Sequence, residues 1–111
     1  MKQETLIDKK AIKFLETYVN NASPTGFEWG GQKMWMEYIK PYVDKFYTDT
    51  YGTAVAIINP EADYKVVIEA HADEISWMVN YIRDDGMIFV VPNGGSDYQI
   101  ATSKTVLIHQ R

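Results

Sequence analysis

The sequence of 111 residues contains no cysteine, only two histidines and no long run of apolar residues. The lack of cysteine excludes disulfides, thiolate metal sites and cysteine nucleophiles, and it agrees with a reducing compartment. No stretch approaches the ~18 consecutive apolar residues of a membrane-spanning helix. The polar start, Met1–Thr5, lacks the apolar segment of a signal peptide. We therefore expect a cytoplasmic protein that does not bind a membrane.

Basic residues are few, with 11 Lys and Arg against 15 Asp and Glu and a formal net charge of −4. A nucleic-acid-binding surface requires Lys and Arg that cluster on one face. Lys9, Lys10 and Lys13 come nearest to such a cluster but are mixed with acidic residues, so we expect no nucleic-acid partner. Hydrophobic residues make up 46% of the chain, and a domain of this length buries about two-thirds of its unfolded surface. The composition therefore predicts one modest core.

Two amphipathic helices are predicted in the first part of the chain. Residues 6–19 place apolar side chains at helical spacing, with lysines on the opposite face. Thr5 is a candidate N-cap, and Asn20–Asn21 marks the end of this helix. A second helix is predicted to end at Pro41, and its start is obscured by Gly30–Gly31.

From Lys45 onward, short β-branched and aromatic runs alternate with turn residues, which is typical of strands. The run Val66–Ile68 predicts a strand buried on both faces of an α/β sheet, whereas residues 81–91 alternate as in a solvent-facing antiparallel ribbon. This contrast suggests a domain boundary near residue 80. The last predicted strand has no partner after it, which would leave an exposed sheet edge, so we expect further chain after Arg111. The predicted strands cover residues 46–50, 53–58, 64–70, 75–83, 87–91 and 105–109.

The densest cluster of chemically active residues is the segment 69–74 (EAHADE), at the end of the most apolar strand. Ligand sites in α/β sheets lie outside the carboxyl ends of strands. In an extended backbone His71 and Asp73 share a face, so the imidazole can offer one nitrogen to a metal while the carboxylate orients the ring. Glu74 alternates to the opposite face. The pattern predicts part of a metal site.

A structural interpretation of the same residues stays open at this point. A single histidine near acids is more often solvated or hydrogen-bonded than a metal ligand. Zinc requires at least three protein ligands, and the only other histidine, His109, is expected at an ordinary strand position. The residues of this chain therefore do not provide a complete metal site by themselves.

Four segments in chain order resemble motifs of the M42 metallo-aminopeptidases, the group that includes glutamyl and deblocking aminopeptidases. Residues 23–28 (SPTGFE) resemble the family's Pro-Ser-Gly-x-Glu segment, and residues 49–53 (DTYGT) resemble its Asp-x-x-Gly-Asn hairpin. Residues 71–76 (HADEIS) resemble its His-Met-Asp-Glu-Ile-Gly motif, and residues 94–97 (GGSD) resemble its Gly-Gly-x-Asp. The M20 deacylases share a His-x-Asp strand, but the Asp-Glu-Ile continuation favours M42.

The resemblance implies an α/β fold in two parts. Residues 1–79 would form the N-terminal part of a zinc-exopeptidase-like catalytic domain, with helices on a mixed sheet. Residues 80–111 would begin an inserted β dimerisation domain through which subunits form a homo-oligomer. The implied activity is that of a metal-dependent aminopeptidase, which removes N-terminal residues from peptide substrates.

The resemblance also implies a cofactor and two site residues. The complete enzyme would hold two divalent ions, zinc or cobalt. His71 would ligate one of them. Asp73, counted as a catalytic residue, would support this metal site without ligating the ion directly. The remaining ligands and a Glu general base are expected outside these 111 residues, so we expect this chain alone to be inactive.

Two departures from the family pattern suggest altered specificity: Ser76 replaces a glycine, and Thr53 replaces an asparagine. Two other functions stay open. In the first alternative, the chain would be a non-catalytic piece or binding module that pairs with another chain. In the second, which has less support, it would be part of a glycan hydrolase. A glycan hydrolase needs two carboxylates that flank a cleft, and Glu69 and Glu74 have no sequence context for those roles.

Overall fold

A computed structural model describes residues 7–109, which form a mixed α/β structure. The chain divides after Glu74 into two compact units. The first unit contains two helices and a hairpin, and the second contains a longer hairpin. Neither helix within residues 7–109 is long and apolar enough to cross a membrane. The elements are α1 (Lys9–Val19), α2 (Trp29–Ile39), β1 (Lys45–Thr48), β2 (Ala54–Ile57), β3 (Ser76–Ile82) and β4 (Ile88–Asn93).

Helix α1 confirms the first predicted helix, with a later start. The Asp8 carboxylate accepts a hydrogen bond from the Ala11 backbone N–H at 2.7 Å and caps the helix. The candidate cap Thr5 lies outside the described residues. The helix ends at Asn20, as predicted, where the backbone N–H of the cap donates to the Glu16 carbonyl.

Aromatic side chains join α1 to α2. The Phe14 and Tyr38 rings stack with their centroids 3.9 Å apart. The Lys10 ammonium lies 5.5 Å from the Tyr38 ring centroid and donates a hydrogen bond to the Tyr42 hydroxyl at 3.1 Å. The hydrogen bond to Tyr42 raises the pKa of Lys10. The contact therefore combines ring stacking with a charged amine held over two rings.

The two glycines that obscured the start of α2 lie in its first turn. Gly31 is buried, and a Cβ atom on it would lie 2.9 Å from the Ser23 hydroxyl oxygen and 3.5 Å from the Tyr18 ring. Glycine weakens a helix interior by about 1 kcal/mol relative to alanine. Here the missing side chain lets α2 approach the loop that follows α1.

The variant Gly31→Ala is expected to lower the free energy of unfolding by about 1–3 kcal/mol, because the added methyl overpacks this contact. Gly30→Ala is the matched control. Its Cβ would meet only the Asn21 side chain, whose amide oxygen lies 3.2 Å away and can shift. Urea unfolding of the native protein measures both changes. Equal unfolding midpoints for the two variants would contradict a tight contact at Gly31.

Strands β1 and β2 pair antiparallel, with Lys45 opposite Ile57 and Thr48 opposite Ala54. These strands confirm the hairpin predicted around residues 49–53. The Asp49 carboxylate accepts hydrogen bonds from the backbone N–H groups of Tyr51 and Thr53, both at 2.9 Å. The bond from Thr53 is the main cause of the lowered pKa of Asp49. The turn is therefore closed by its own acidic side chain.

The predicted strand at residues 64–70 is wrong for this structure. The segment has no regular secondary structure, and the side chains of Val66, Val67 and Ile68 are 74%, 82% and 94% exposed. A strand needs a neighbour that accepts and donates its backbone hydrogen bonds. Within residues 7–109, no segment pairs with this run.

The second unit is built on the antiparallel pair β3 and β4, with Ser76 opposite Asn93 and Ile82 opposite Ile88. This pair confirms the strands predicted at 75–83 and 87–91. The register shifts between Val79 and Tyr81, as at a β-bulge. The two compact units separate at Glu74, ahead of β3, whereas the predicted boundary at residues 79 and 80 lies inside this strand. The division into a catalytic domain and a β insertion stays a prediction.

The connection between β3 and β4 is a tight turn, which lies within the antiparallel ribbon predicted at residues 81–91. Gly86 has a φ of 87°, a left-handed conformation that glycine adopts without strain. The Arg83 guanidinium forms an ion pair with Asp85, which lowers the pKa of that carboxyl. The strand predicted at 105–109 is wrong, because these residues carry no regular structure and pair with no described segment.

The single modest core expected from composition is not formed by the described residues. No hydrophobic side chain within residues 7–109 is buried. The apolar face of α1, with Ile12, Leu15 and Val19, is exposed. Exposed apolar surface on this scale is typical of surfaces that pack against other polypeptide.

Candidate functional site

The site predicted at residues 71–74 lies against the loop that precedes α2. The Glu74 backbone N–H donates to the Ser23 carbonyl at 2.8 Å. In return, the Ser23 backbone N–H donates to the Glu74 carboxylate at 2.9 Å. Pro24 and Glu74 form a parallel β-bridge, and Ser23 is buried. The Glu74 side chain therefore holds the two segments together, which agrees with its exclusion from the predicted ligands.

His71 and Asp73 meet as their spacing predicted. Nδ1 of His71 lies 2.9 Å from Oδ1 of Asp73 and 3.0 Å from the Asp73 backbone oxygen. Both partners are acceptors, so Nδ1 must carry the proton. In the neutral ring Nε2 then has a free lone pair, the form in which imidazole binds a metal. The His71 side chain is 85% exposed.

Thr25 contacts the second oxygen of the Asp73 carboxylate. Its hydroxyl donates to Oδ2 at 2.7 Å, across 48 residues of sequence. The hydrogen bond from Thr25, followed by that to His71, lowers the pKa of Asp73. Asp73 therefore stays ionised and shares its two oxygens between Thr25 and His71. Sequence reasoning missed this role, although Thr25 belongs to the 23–28 motif.

The described residues do not form a complete metal site by themselves. No group of three His, Cys, Asp or Glu side chains within residues 7–109 lies close enough to hold an ion. His109 belongs to the second compact unit. Zinc sites need three or four protein ligands. The described residues place one imidazole, that of His71, against one carboxylate, that of Asp73, and their role at a metal ion stays a prediction.

Solved structures with a similar fold are aminopeptidases. A TET aminopeptidase from a marine-sediment Thaumarchaeota archaeon matches with a TM-score of 0.76 and 25% identity, over 82% of this chain and 25% of that chain. Aminopeptidase APDkam598 from Desulfurococcus kamchatkensis matches with a TM-score of 0.64 and 27% identity, over 79% of this chain and 25% of that chain. The fold is therefore that of a segment of an aminopeptidase.

Sequence comparison narrows the class to one family. A lysyl aminopeptidase from Pyrococcus furiosus is 31% identical over 84 residues, which are 75% of this chain and 24% of that protein. The family profile described as M42 glutamyl aminopeptidase matches residues 52–111. The chain belongs to the M42 peptidase family, which confirms the resemblance found in its motifs. It spans about a quarter of the length of these relatives.

Proposed function

We propose that these residues form part of a metal-dependent aminopeptidase in which His71 ligates one metal ion and Asp73 orients His71. The observation that supports this role most directly is the contact of Nδ1 with two acceptor oxygens of Asp73. These acceptors favour a proton on Nδ1, which leaves the exposed Nε2 as the coordinating atom. Metal-binding histidines in proteins usually donate their other N–H to a carboxylate or a carbonyl in this way.

The proposed cofactor is a pair of divalent ions, zinc or cobalt. Such ions polarise a carbonyl and lower the pKa of a bound water, which supplies the nucleophile for peptide hydrolysis at neutral pH. Within this chain, His71 offers the lone pair and Asp73 holds the ring and remains ionised. The other ligands and the general base would come from other parts of the native protein. The proposed substrates are peptides with a free N-terminus, in the cytoplasm.

The apolar surfaces support a second part of the proposal, which concerns association. Exposed side chains on α1 and in residues 66–68 have no cover among the described residues. We propose that they pack against other parts of the native protein, and that the β3–β4 ribbon contributes to a homo-oligomer. The glycan-hydrolase alternative loses one of its two carboxylates, since Glu74 already bonds the Ser23 backbone.

The test uses the native protein and an aminoacyl-anilide substrate. Hydrolysis is expected to disappear after a chelator removes the metal and to return with added Zn²⁺ or Co²⁺. The same substrate with an acetylated N-terminus is the control and should not be hydrolysed. Turnover that survives complete metal removal, or equal turnover of the acetylated substrate, would contradict the proposal.

A further inference from the structure

The Thr25 side chain joins the loop before α2 to the candidate site. We propose that Thr25 is a positioning residue, which fixes the Asp73 carboxylate and, through it, the Nδ1–H tautomer and direction of the His71 ring. This inference rests on the proposed function, because it assigns the ring a task as metal ligand. In this role Thr25 would act through Asp73 and not directly on the metal or the substrate.

The Thr25 hydroxyl anchors the Asp73 carboxylate from outside its own segment. Residues 71–73 carry no regular secondary structure, and the Asp73 side chain is 35% exposed. A carboxylate in such a loop can rotate about its side-chain torsions and exchange its partners for water. The Thr25 hydroxyl occupies Oδ2, so Oδ1 remains directed to Nδ1 of His71.

Thr25 is itself held in a closed turn. The Phe27 backbone N–H donates to the Pro24 carbonyl at 2.8 Å, and Gly26 has a φ of 87°. The Gly26 N–H donates to the Glu28 carboxylate at 2.7 Å. On the other side, Ser23 and Glu74 exchange two hydrogen bonds. The hydroxyl therefore projects from a turn anchored at both ends, as a supporting side chain for a site should.

A structural role alone makes a different prediction. An exposed hydrogen bond with only a structural role contributes modestly to stability and has no influence on which ring nitrogen carries the proton. Thr25→Val keeps the shape of the side chain and removes the hydroxyl, whereas Thr25→Ser keeps the hydroxyl. A positioning role predicts that only the valine variant changes the His71 ring.

The experiment uses the native protein and both variants, with ¹⁵N-labelled histidine. In the metal-free protein at about pH 8, where a typical histidine is neutral, ring ¹⁵N shifts report the His71 tautomer. Thr25→Val is expected to lower the Nδ1–H population, and Thr25→Ser to keep it. Competition with a chromophoric chelator measures Zn²⁺ affinity, which should fall by roughly 10- to 100-fold in Thr25→Val and stay within about threefold in Thr25→Ser.

Two results would overturn the positioning role: an unchanged tautomer and Zn²⁺ affinity in Thr25→Val, or failure of Thr25→Ser to retain them. If Thr25→Val does not fold, Thr25→Ala removes the same hydroxyl with a smaller side chain. Failure of the proposed function gives a distinct result, because the unaltered protein would then bind no Zn²⁺. The ring ¹⁵N shifts would still decide whether Thr25 orients His71.

Discussion

His71→Ala is expected to remove one metal ion per subunit from the native protein and to reduce its aminopeptidase activity by more than about 100-fold. The loss should exceed the 10- to 100-fold effect of removing a partner behind a metal ligand, because the substitution deletes the coordinating atom itself. The imidazole is exposed, and its ring packs against no described aromatic side chain, so the fold should survive. Metal content by mass spectrometry and turnover of an aminoacyl-anilide measure the two effects.

Asp73→Asn is the matched variant at the neighbouring position. It keeps the size of the side chain and removes the charge that holds the His71 N–H. Metal affinity or turnover should fall by roughly 10- to 100-fold, with the stoichiometry restored at high metal concentration. Unchanged metal content and turnover in both variants would mean that the His-Ala-Asp segment has only a structural role.

The chain of 111 residues alone is expected to hydrolyse no aminoacyl-anilide, even with added Zn²⁺ or Co²⁺. Its described residues supply one imidazole ligand and no group of three ligand side chains, and catalytic zinc requires three. The native protein assayed in parallel is the positive control. Metal-dependent turnover by the 111-residue chain would contradict this prediction.

The same chain is expected to sediment as an assembly at micromolar concentration. No described hydrophobic side chain is buried, and the exposed Val66–Ile68 run pairs with no described strand. Such surfaces pair with other chains. A monodisperse particle of the monomer mass, 12.8 kDa, with dispersed amide resonances, would show that the segment closes its own core, and would favour a self-contained binding module.

The parts of the fold that the sequence predicts are the local ones. The periodicity of α1 and the turns at Asp49 and Gly86 are set by neighbouring residues, so these elements are recognisable without a structure. The run at residues 64–70 has the composition of a buried strand, but a strand exists only with a partner. None of the described segments pairs with it.

The contacts of the candidate site also divide into local ones, which the sequence predicts, and long-range ones, which it does not. The contact between His71 and Asp73 spans only two residues, so their spacing in the sequence was enough to suggest it. The contacts of Thr25 with Asp73 and of Ser23 with Glu74 span 48 and 51 residues. No periodicity reports on such distant pairs. The family motif at residues 23–28 indicated that this loop has a functional role, but it did not indicate which residues the loop contacts.

The exchange of hydrogen bonds between Ser23 and Glu74 also means that the candidate site forms only when two segments distant in the sequence come together. The His71–Asp73 contact is available to any extended segment, whereas Thr25 reaches Asp73 only after a loop of some fifty residues has closed, at an entropic cost that grows slowly with its length. A ligand that binds the closed form more tightly shifts the population toward it by that difference in affinity. In the proposed metal site, metal loading and the docking of these two segments would therefore be reciprocal: each would report on the other, and conditions that detach residues 23–25 would weaken metal binding without altering any ligand atom.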